Sequence, residues 1–364
     1  MKRAAWPLGA AVGLGLGLGL GGPAVVGQQH YILSENETWE AVGTFDPLSP
    51  EGQLTQARRA LADGLVKEAQ KLAAAWIDRN QHHPLLPEAY LIKGDALKAQ
   101  AKYYDALFDY EHVARTFPAS EAFVTALERE YEIARLYATG TKRKLLGMRL
   151  LDAGDEAQEL LILIQERLPG SALAERAAIE LADFYYRRGR MQLAVNMYTI
   201  FLENHPRSRH VSKARWAISI AHLATFKGPE FDATGLHDAR RSLEVLMNLE
   251  PATAERVGAD AMLIRVDEMD ARKLLMTAQW YERTGDPIAA ELILRRLLER
   301  YPRSVAATEA LTLAHRLLPQ LPATVRATAP NYRSLRGPMP SGPASAGKSD
   351  DPAQGRDAPG GGQP

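Results

Sequence analysis

The residues able to do chemistry are few in this sequence, and their spacing argues against that use. No cysteine occurs among the 364 residues, which removes disulfides, thiolate metal centres and thiol nucleophiles together. The nine histidines are scattered, and His205 and His210 stand beside a turn with no carboxylate at ligand spacing, so they read as solvated turn residues rather than metal ligands. A metalloprotease H-E-x-x-H, a phosphate-cradling loop and a G-x-S-x-G nucleophile elbow are all missing. Asp155-Glu156 is the kind of carboxylate pair that a helix start attracts through its macrodipole. Gly17, Gly19 and Gly22 satisfy G-x-G-x-x-G, but they lie in an uncharged leader, without the strand before and the helix after that a dinucleotide requires. These residues predict no cofactor, no metal site and no enzyme.

Charge points the same way. Lys+Arg and Asp+Glu number 44 each, which gives no general reason to bind nucleic acid. Two basic runs stand out, Lys142-Arg143-Lys144 with Arg149 and Arg187-Arg188 with Arg190. They read as solvated loop and helix-end charges; the alternative is that they meet an anionic patch on a partner protein or a lipid.

The elements that would position any site fall into segments of different composition. Residues 1–27 begin with Lys2 and Arg3, continue as an uncharged Ala/Leu/Gly stretch and end in small residues, the pattern of a cleaved secretory signal peptide, so export is expected. No cysteine follows the apolar stretch, so no direct lipid anchor is expected. Residues 28–48 form an extended segment that precedes the helical region and is read as a cap on it. From 329 to the end stand seven Gly and seven Pro with few large apolar residues. The segment 319–364 is therefore read as a Pro/Gly-rich disordered tail.

Between these ends, from 49 to about 318, apolar residues recur at helical spacing with no alternating strand runs. Alanine and proline recur twelve residues apart five times: Ala106 and Pro118, Ala157 and Pro169, Ala194 and Pro206, Ala239 and Pro251, Ala290 and Pro302. A large side chain stands four residues after each alanine (Tyr110, Leu161, Tyr198, Leu243, Leu294) and another seven after it (Val113, Ile164, Phe201, Leu246, Leu297). These share one helical face, so the alanine permits close approach of a partner helix while the larger residues fill the groove beside it. Proline then ends the helix, and Ser120, Ser171, Ser208, Thr253 and Ser304, two residues on, are placed to cap the next one. Ser49-Pro50-Glu51 caps an earlier pair.

The step from Pro84 to Pro118 is 34 residues, the tetratricopeptide period, and longer steps are the same unit with insertions. Tyr90, Gly94, Ala106, Tyr110 and Pro118 occupy the positions that repeat requires, with Gly189 and Gly285 in later inter-helix turns. The expected fold is all-α, a tetratricopeptide-like helical-hairpin solenoid of about six hairpins. Its repeats run over 49–172, with a basic insertion at 139–154, and over 173–318. A polar loop at 227–235 separates two helices of one hairpin, and 253–283 is expected as one extended helix. Stacked hairpins offer a groove lined by the first helix of each. By register its exposed positions are Asp95 and Lys98, then Asp183, Tyr186 and Arg187, then Arg272, Gln279, Glu282 and Arg283, a set suited to a protein or an extended peptide.

Residues 173–318 resemble the BamD family of outer-membrane assembly lipoproteins. The segments ALAERAAIELADFYYRRGRMQLAVNMYTIFLENHPRS and EMDARKLLMTAQWYERTGDPIAAELILRRLLERYPRSVAATEAL carry the resemblance, notably through Tyr281, Gly285, Ala289-Ala290, Tyr301-Pro302 and Ser304. The resemblance implies a non-enzymatic periplasmic scaffold, peripheral to the inner face of the outer membrane. It further implies contacts with barrel-assembly subunits and outer-membrane protein substrates. The chain departs from that family in lacking the lipidated cysteine. The alternatives are a general periplasmic adaptor of the Tol-Pal-associated type and, further off, a glycan-binding or glycan-acting solenoid.

Overall fold

The computed structural model describes residues 31–33, 39–41, 46–145 and 148–332. The expected leader at 1–27, most of 28–48 and the tail beyond Tyr332 lie outside the described residues. Before the helices, β1 (Tyr31–Leu33) pairs antiparallel with β2 (Trp39–Ala41). The rest divides into two units, residues 1–133 with 142–152, and residues 134–141 with 153–364.

The first unit holds α1 (Pro50–Ala62), α2 (Val66–Arg79), α3 (Leu86–Ala99), α4 (Tyr103–Thr116) and most of α5 (Ala122–Ala138). As the sequence predicts, Ser49 caps α1, its hydroxyl accepting from Gly52 N–H at 3.1 Å with Pro50 in the first turn. Leu54, Ala57, Trp76, Ala89 and Ile92 form its core, and Trp76 donates its indole N–H to the Pro50 carbonyl at 2.7 Å. The insertion at 139–154 is not a plain loop. It contains β3 (Arg143–Leu145) and β4 (Met148–Leu151), an antiparallel pair with a register shift between Arg143 and Lys144. Three- and four-residue strands are too short to show an alternating pattern, which is why the sequence reads there as charge alone.

The second unit holds α6 (Gly154–Arg167), α7 (Ala172–Arg187), α8 (Met191–Asn204), α9 (Val211–Thr225) and α10 (Thr234–Leu249). It continues with α11 (Pro251–Val257), α12 (Ala259–Arg283), α13 (Pro287–Arg300), α14 (Val305–Leu317) and α15 (Ala323–Thr328). The single extended helix expected over 253–283 is interrupted. Gly258 takes a left-handed conformation, φ 66° and ψ 42°, which ends α11 and starts α12, so one glycine was enough to break the run. The expected tail boundary at 319 also moves. A short 3₁₀ turn at Leu318–Gln320 and α15 follow α14, and Tyr332 is buried, so the ordered chain reaches at least Tyr332.

Five helices, α4, α6, α8, α10 and α13, carry the alanine motif. Ala106, Ala157, Ala194, Ala239 and Ala290 are each 0% exposed. So are the large residues four and seven positions on, apart from Tyr198 at 1%. Leucine at Ala194 overpacks that contact and lowers stability by about 1–3 kcal/mol in urea unfolding. The residue before each proline adopts one conformation in all five places, with φ between −127° and −140° and ψ between 52° and 62°. Proline's ring excludes right-handed helical geometry from its predecessor, and here it stops each helix at the same point. The hydroxyls two residues on behave less uniformly. Ser171 and Ser304 cap α7 and α14, each accepting at 3.0 Å, whereas Ser120 donates back to the Phe117 carbonyl, Ser208 donates to Glu175, and Thr253 lies inside α11.

The turns between hairpin helices share one geometry. Gly64, Ala101, Gly189 and Gly285 all have positive φ, and the next residue's N–H closes on a carbonyl five residues back at 2.8–3.0 Å. Ala101 is the exception in residue type, held at φ 56° with a Cβ that disfavours it. Ala101→Gly is expected to raise the stability of the first unit by about 0.5–1 kcal/mol, read as an upward shift of its melting midpoint.

Candidate functional site

The groove positions lie on the first helices of the hairpins, and the structure shows what each side chain does. Asp95 on α3 accepts from Tyr110 Oη at 2.7 Å and from Arg129 Nε on α5 at 2.9 Å. Lys98, one turn on, pairs with Glu132 of α5. In the second unit Asp183 on α7 accepts from Tyr198 Oη at 2.6 Å and pairs with Lys213 on α9. Glu282 on α12 accepts from Arg316 on α14 at 3.0 Å. The four ion pairs join residues 34, 34, 30 and 34 apart, close to one repeat period. Arg187 reaches Glu180 of its own helix at 2.6 Å, and Arg272 lies 3.9 Å from Glu268. Tyr186 and Gln279 are half-buried, and Arg283 is exposed.

The two aspartates therefore do more than line a surface. Each joins the buried tyrosine of its own hairpin to a cation on the next first helix. Burial raises the Tyr110 and Tyr198 hydroxyls above the ordinary phenol range, and the neighbouring aspartates add to the shift, so both remain protonated donors. What stays on offer to a partner is a smaller set. Arg283 and Trp280 are exposed at the end of α12, and the indole lies edge-on to Tyr281 at 4.9 Å.

Two features of the second unit have no counterpart among the sequence-derived candidates. The loop at 227–235 is pinned by Lys273, whose ammonium donates to the carbonyls of Pro229, at 3.0 Å, and Phe231, leaving the Phe231 ring exposed. A cleft of about 570 Å³ lies where the first half of α12 passes the α13–α14 turn. Tyr301 and Pro302 line it, with Ile264 and Val305 exposed beside Arg265, Arg300 and Arg303. Its carboxylates are already engaged. Asp267 pairs with Arg240, and Glu268 caps α14 by accepting from Val305 N–H at 2.7 Å and Ala306 N–H at 3.2 Å. Burial pushes the Asp267 carboxyl up, against the pull of Arg240 and Arg300. The signal for this cleft was present in the unusual length of α12, which extends past the helix that follows it.

Among the described residues no group of three or more His, Cys, Asp or Glu could hold a metal ion. Nor is any described helix long and apolar enough to cross a membrane.

Hairpins with an alanine-centred contact, a proline stop and a left-handed turn define an all-α protein of the tetratricopeptide class. The YfiO family model, described as outer membrane lipoprotein, matches residues 147–328, half of the chain, and the chain belongs to that family. No curated protein matches it significantly. Among solved structures it is similar to the C-terminal part of a TPR repeat-containing protein from Cytophaga hutchinsonii, at 14% identity over 72% of this chain and 88% of that one, with a TM-score of 0.36. A tetratricopeptide repeat protein from Parabacteroides merdae is similar at 14% identity over 73% and 98%, with a TM-score of 0.35. PilW, described as a widely conserved type IV pilus biogenesis factor, is similar at 14% identity over 72% and 98%, with a TM-score of 0.28. The family is one of envelope proteins, and the chain is a helical-repeat scaffold.

Proposed function

We propose that the chain is a periplasmic scaffold, peripheral to the inner face of the outer membrane, which holds protein partners during the assembly of outer-membrane proteins. The observation that carries this reading is the family match over 147–328, which covers α6 to α14 in full. The surface chemistry supports a binding role. The charged side chains of the first helices are largely paired with one another, while Trp280, Phe231 and the arginines at the cleft are left facing solvent. Exposed aromatic and arginine side chains are the residue types that anchor protein partners.

The test is affinity capture of the tagged protein from cross-linked envelope extract. Recovery of a barrel-assembly subunit, lost on Trp280→Ala with Arg283→Ala, is the expected result. If no such subunit is recovered, the assembly role gives way to that of a general periplasmic adaptor.

A further inference from the structure

The cleft of about 570 Å³ beside the first half of α12 collects positive charge without answering it. Arg265 of α12, Arg300 at the end of α13 and Arg303 in the turn line it, and all three are exposed. Among the described residues none of the three holds an ion pair or a side-chain hydrogen bond, and Arg300 only leans over the Tyr301 ring at 5.3 Å. The carboxylates of this corner are committed elsewhere. Asp267 pairs with Arg240 and feels Arg300 only from beyond ion-pair distance. Glu268 accepts from the first amides of α14 and lies 3.9 Å from Arg272. Asp270 accepts from Tyr301 Oη at 2.5 Å and faces His237 at 3.4 Å.

The same lining is apolar between its charges. Ile264 is 69% exposed and Val305 62%, with Pro302 exposed in the turn. A guanidinium is more weakly hydrated than an ammonium and presents a planar fork that a carboxylate meets at two points. Arginines set in apolar surface therefore suit carboxylates carried on an apolar segment. A phosphate site would instead draw on free backbone amides at a helix start. Those of α14 are already taken, Val305 and Ala306 by Glu268 and Ala307 by Ser304 Oγ at 3.0 Å. What is left on offer is three cationic forks and the apolar side chains between them.

We propose that this cleft binds a short segment of a protein partner in which large apolar side chains are flanked by aspartates or glutamates. The carboxylates seat on Arg265, Arg300 and Arg303, and the apolar side chains lie against Ile264 and Val305. The inference rests on the reading of the chain as a protein-binding scaffold and not on the barrel-assembly role. Arg272, Gln279, Glu282 and Arg283, the groove candidates of the same helix, lie outside this lining, so the cleft is a contact separate from theirs. Its uncompensated charge also selects, since a basic segment meets like charge at the same positions.

Fluorescence polarisation with the purified protein tests this, using a labelled peptide Asp-Glu-Leu-Phe-Asp-Glu and its amide counterpart Asn-Gln-Leu-Phe-Asn-Gln. Saturable binding of the acidic peptide is expected, at least about tenfold tighter than the amide peptide and weakening with salt. Arg265→Gln/Arg303→Gln should weaken it about tenfold, and Arg265→Lys/Arg303→Lys less, since lysine keeps the charge without the fork. Ile264→Ser should weaken binding and leave its salt dependence unchanged, whereas Trp280→Ala/Arg283→Ala should bind as the parent does. Matching circular dichroism melts show that the variants are folded. No binding of the acidic peptide, equal binding of the amide peptide, or equal affinity in Arg265→Gln/Arg303→Gln each overturns the proposal. So does displacement by inorganic phosphate beyond that caused by chloride at equal ionic strength, which would assign the cleft to a phosphate ligand. Because the peptide measurement uses no envelope extract, its failure leaves the capture result above standing, and a failed capture leaves this one standing.

Discussion

Alanine at Tyr332 is expected to lower the stability of the second unit by about 3–4 kcal/mol, while ending the chain just after Tyr332 leaves its melting midpoint in place. Tyr332 is 1% exposed and belongs to the cluster that contains Ala290, Leu294, Leu313, Ala314 and Leu317. Its ring occupies space beside α13 and α14, and its removal leaves a cavity that those helices cannot close without shifting. The hydroxyl adds a second contribution. It donates to Glu291, a carboxylate only 2% exposed that also accepts from Arg295 at 2.8 Å and 3.0 Å. Burial, with Glu291 beside it, pushes the Tyr332 hydroxyl above the usual phenol range, so the proton stays on the donor.

The two parts of the Tyr332 effect can be separated. Tyr332→Phe keeps the packing and removes one hydrogen bond from a carboxylate that Arg295 still serves, for a loss of about 1–2 kcal/mol. Truncation after Leu318 removes Leu321 and Tyr332 together and should be at least as damaging as Tyr332→Ala. Urea unfolding of the four proteins orders them, and a Tyr332→Ala variant as stable as the parent would show that residues 319–332 are no part of the core.

Why the sequence placed that boundary too early is a matter of composition against position. Prolines 319, 322 and 330 and the small residues around them resemble the following tail, and a window average cannot tell one well-placed tyrosine from the disorder-prone residues beside it. The hairpins were easier to read because their signals are local and stereochemical. An alanine on a helical face, a proline twelve residues later and the extended residue before it act within one or two turns, and the same backbone angles recur at all five sites. Gly189 and Gly285 likewise announce their turns by type, whereas Ala101 makes the same turn with no such announcement. The pairing of the groove residues was harder to see. Asp95 with Arg129 and Glu282 with Arg316 are each 34 residues apart, so their signal is opposite charge at the repeat period, not at helical spacing. Opposite charges recurring at that period mark the groove residues that hold neighbouring hairpins together.

A second large effect is expected at Gly94, where valine should destabilise the first unit by about 3 kcal/mol or more. A Cβ at this position would stand 2.6 Å from Tyr110 Cε1 and 3.0 Å from Cδ1 and Cζ. The ring cannot easily yield. Tyr110 is 0% exposed, and its hydroxyl is fixed on Asp95 at 2.7 Å, the aspartate that also binds Arg129. Displacing the ring therefore disturbs the α3–α4 contact and the bond that leads to α5 together. Helix propensity acts in the opposite direction, since a methyl at a helical glycine is favourable by about 1 kcal/mol, so Gly94→Ala should lose less than Gly94→Val. The steric cause is tested by coupling. In a Tyr110→Leu background, which removes the far half of the ring and its hydroxyl, Gly94→Ala should lose at least about 1 kcal/mol less than in the parent. Equal losses in the two backgrounds would place the cost in α3 itself, and the close approach of α4 would not be its source.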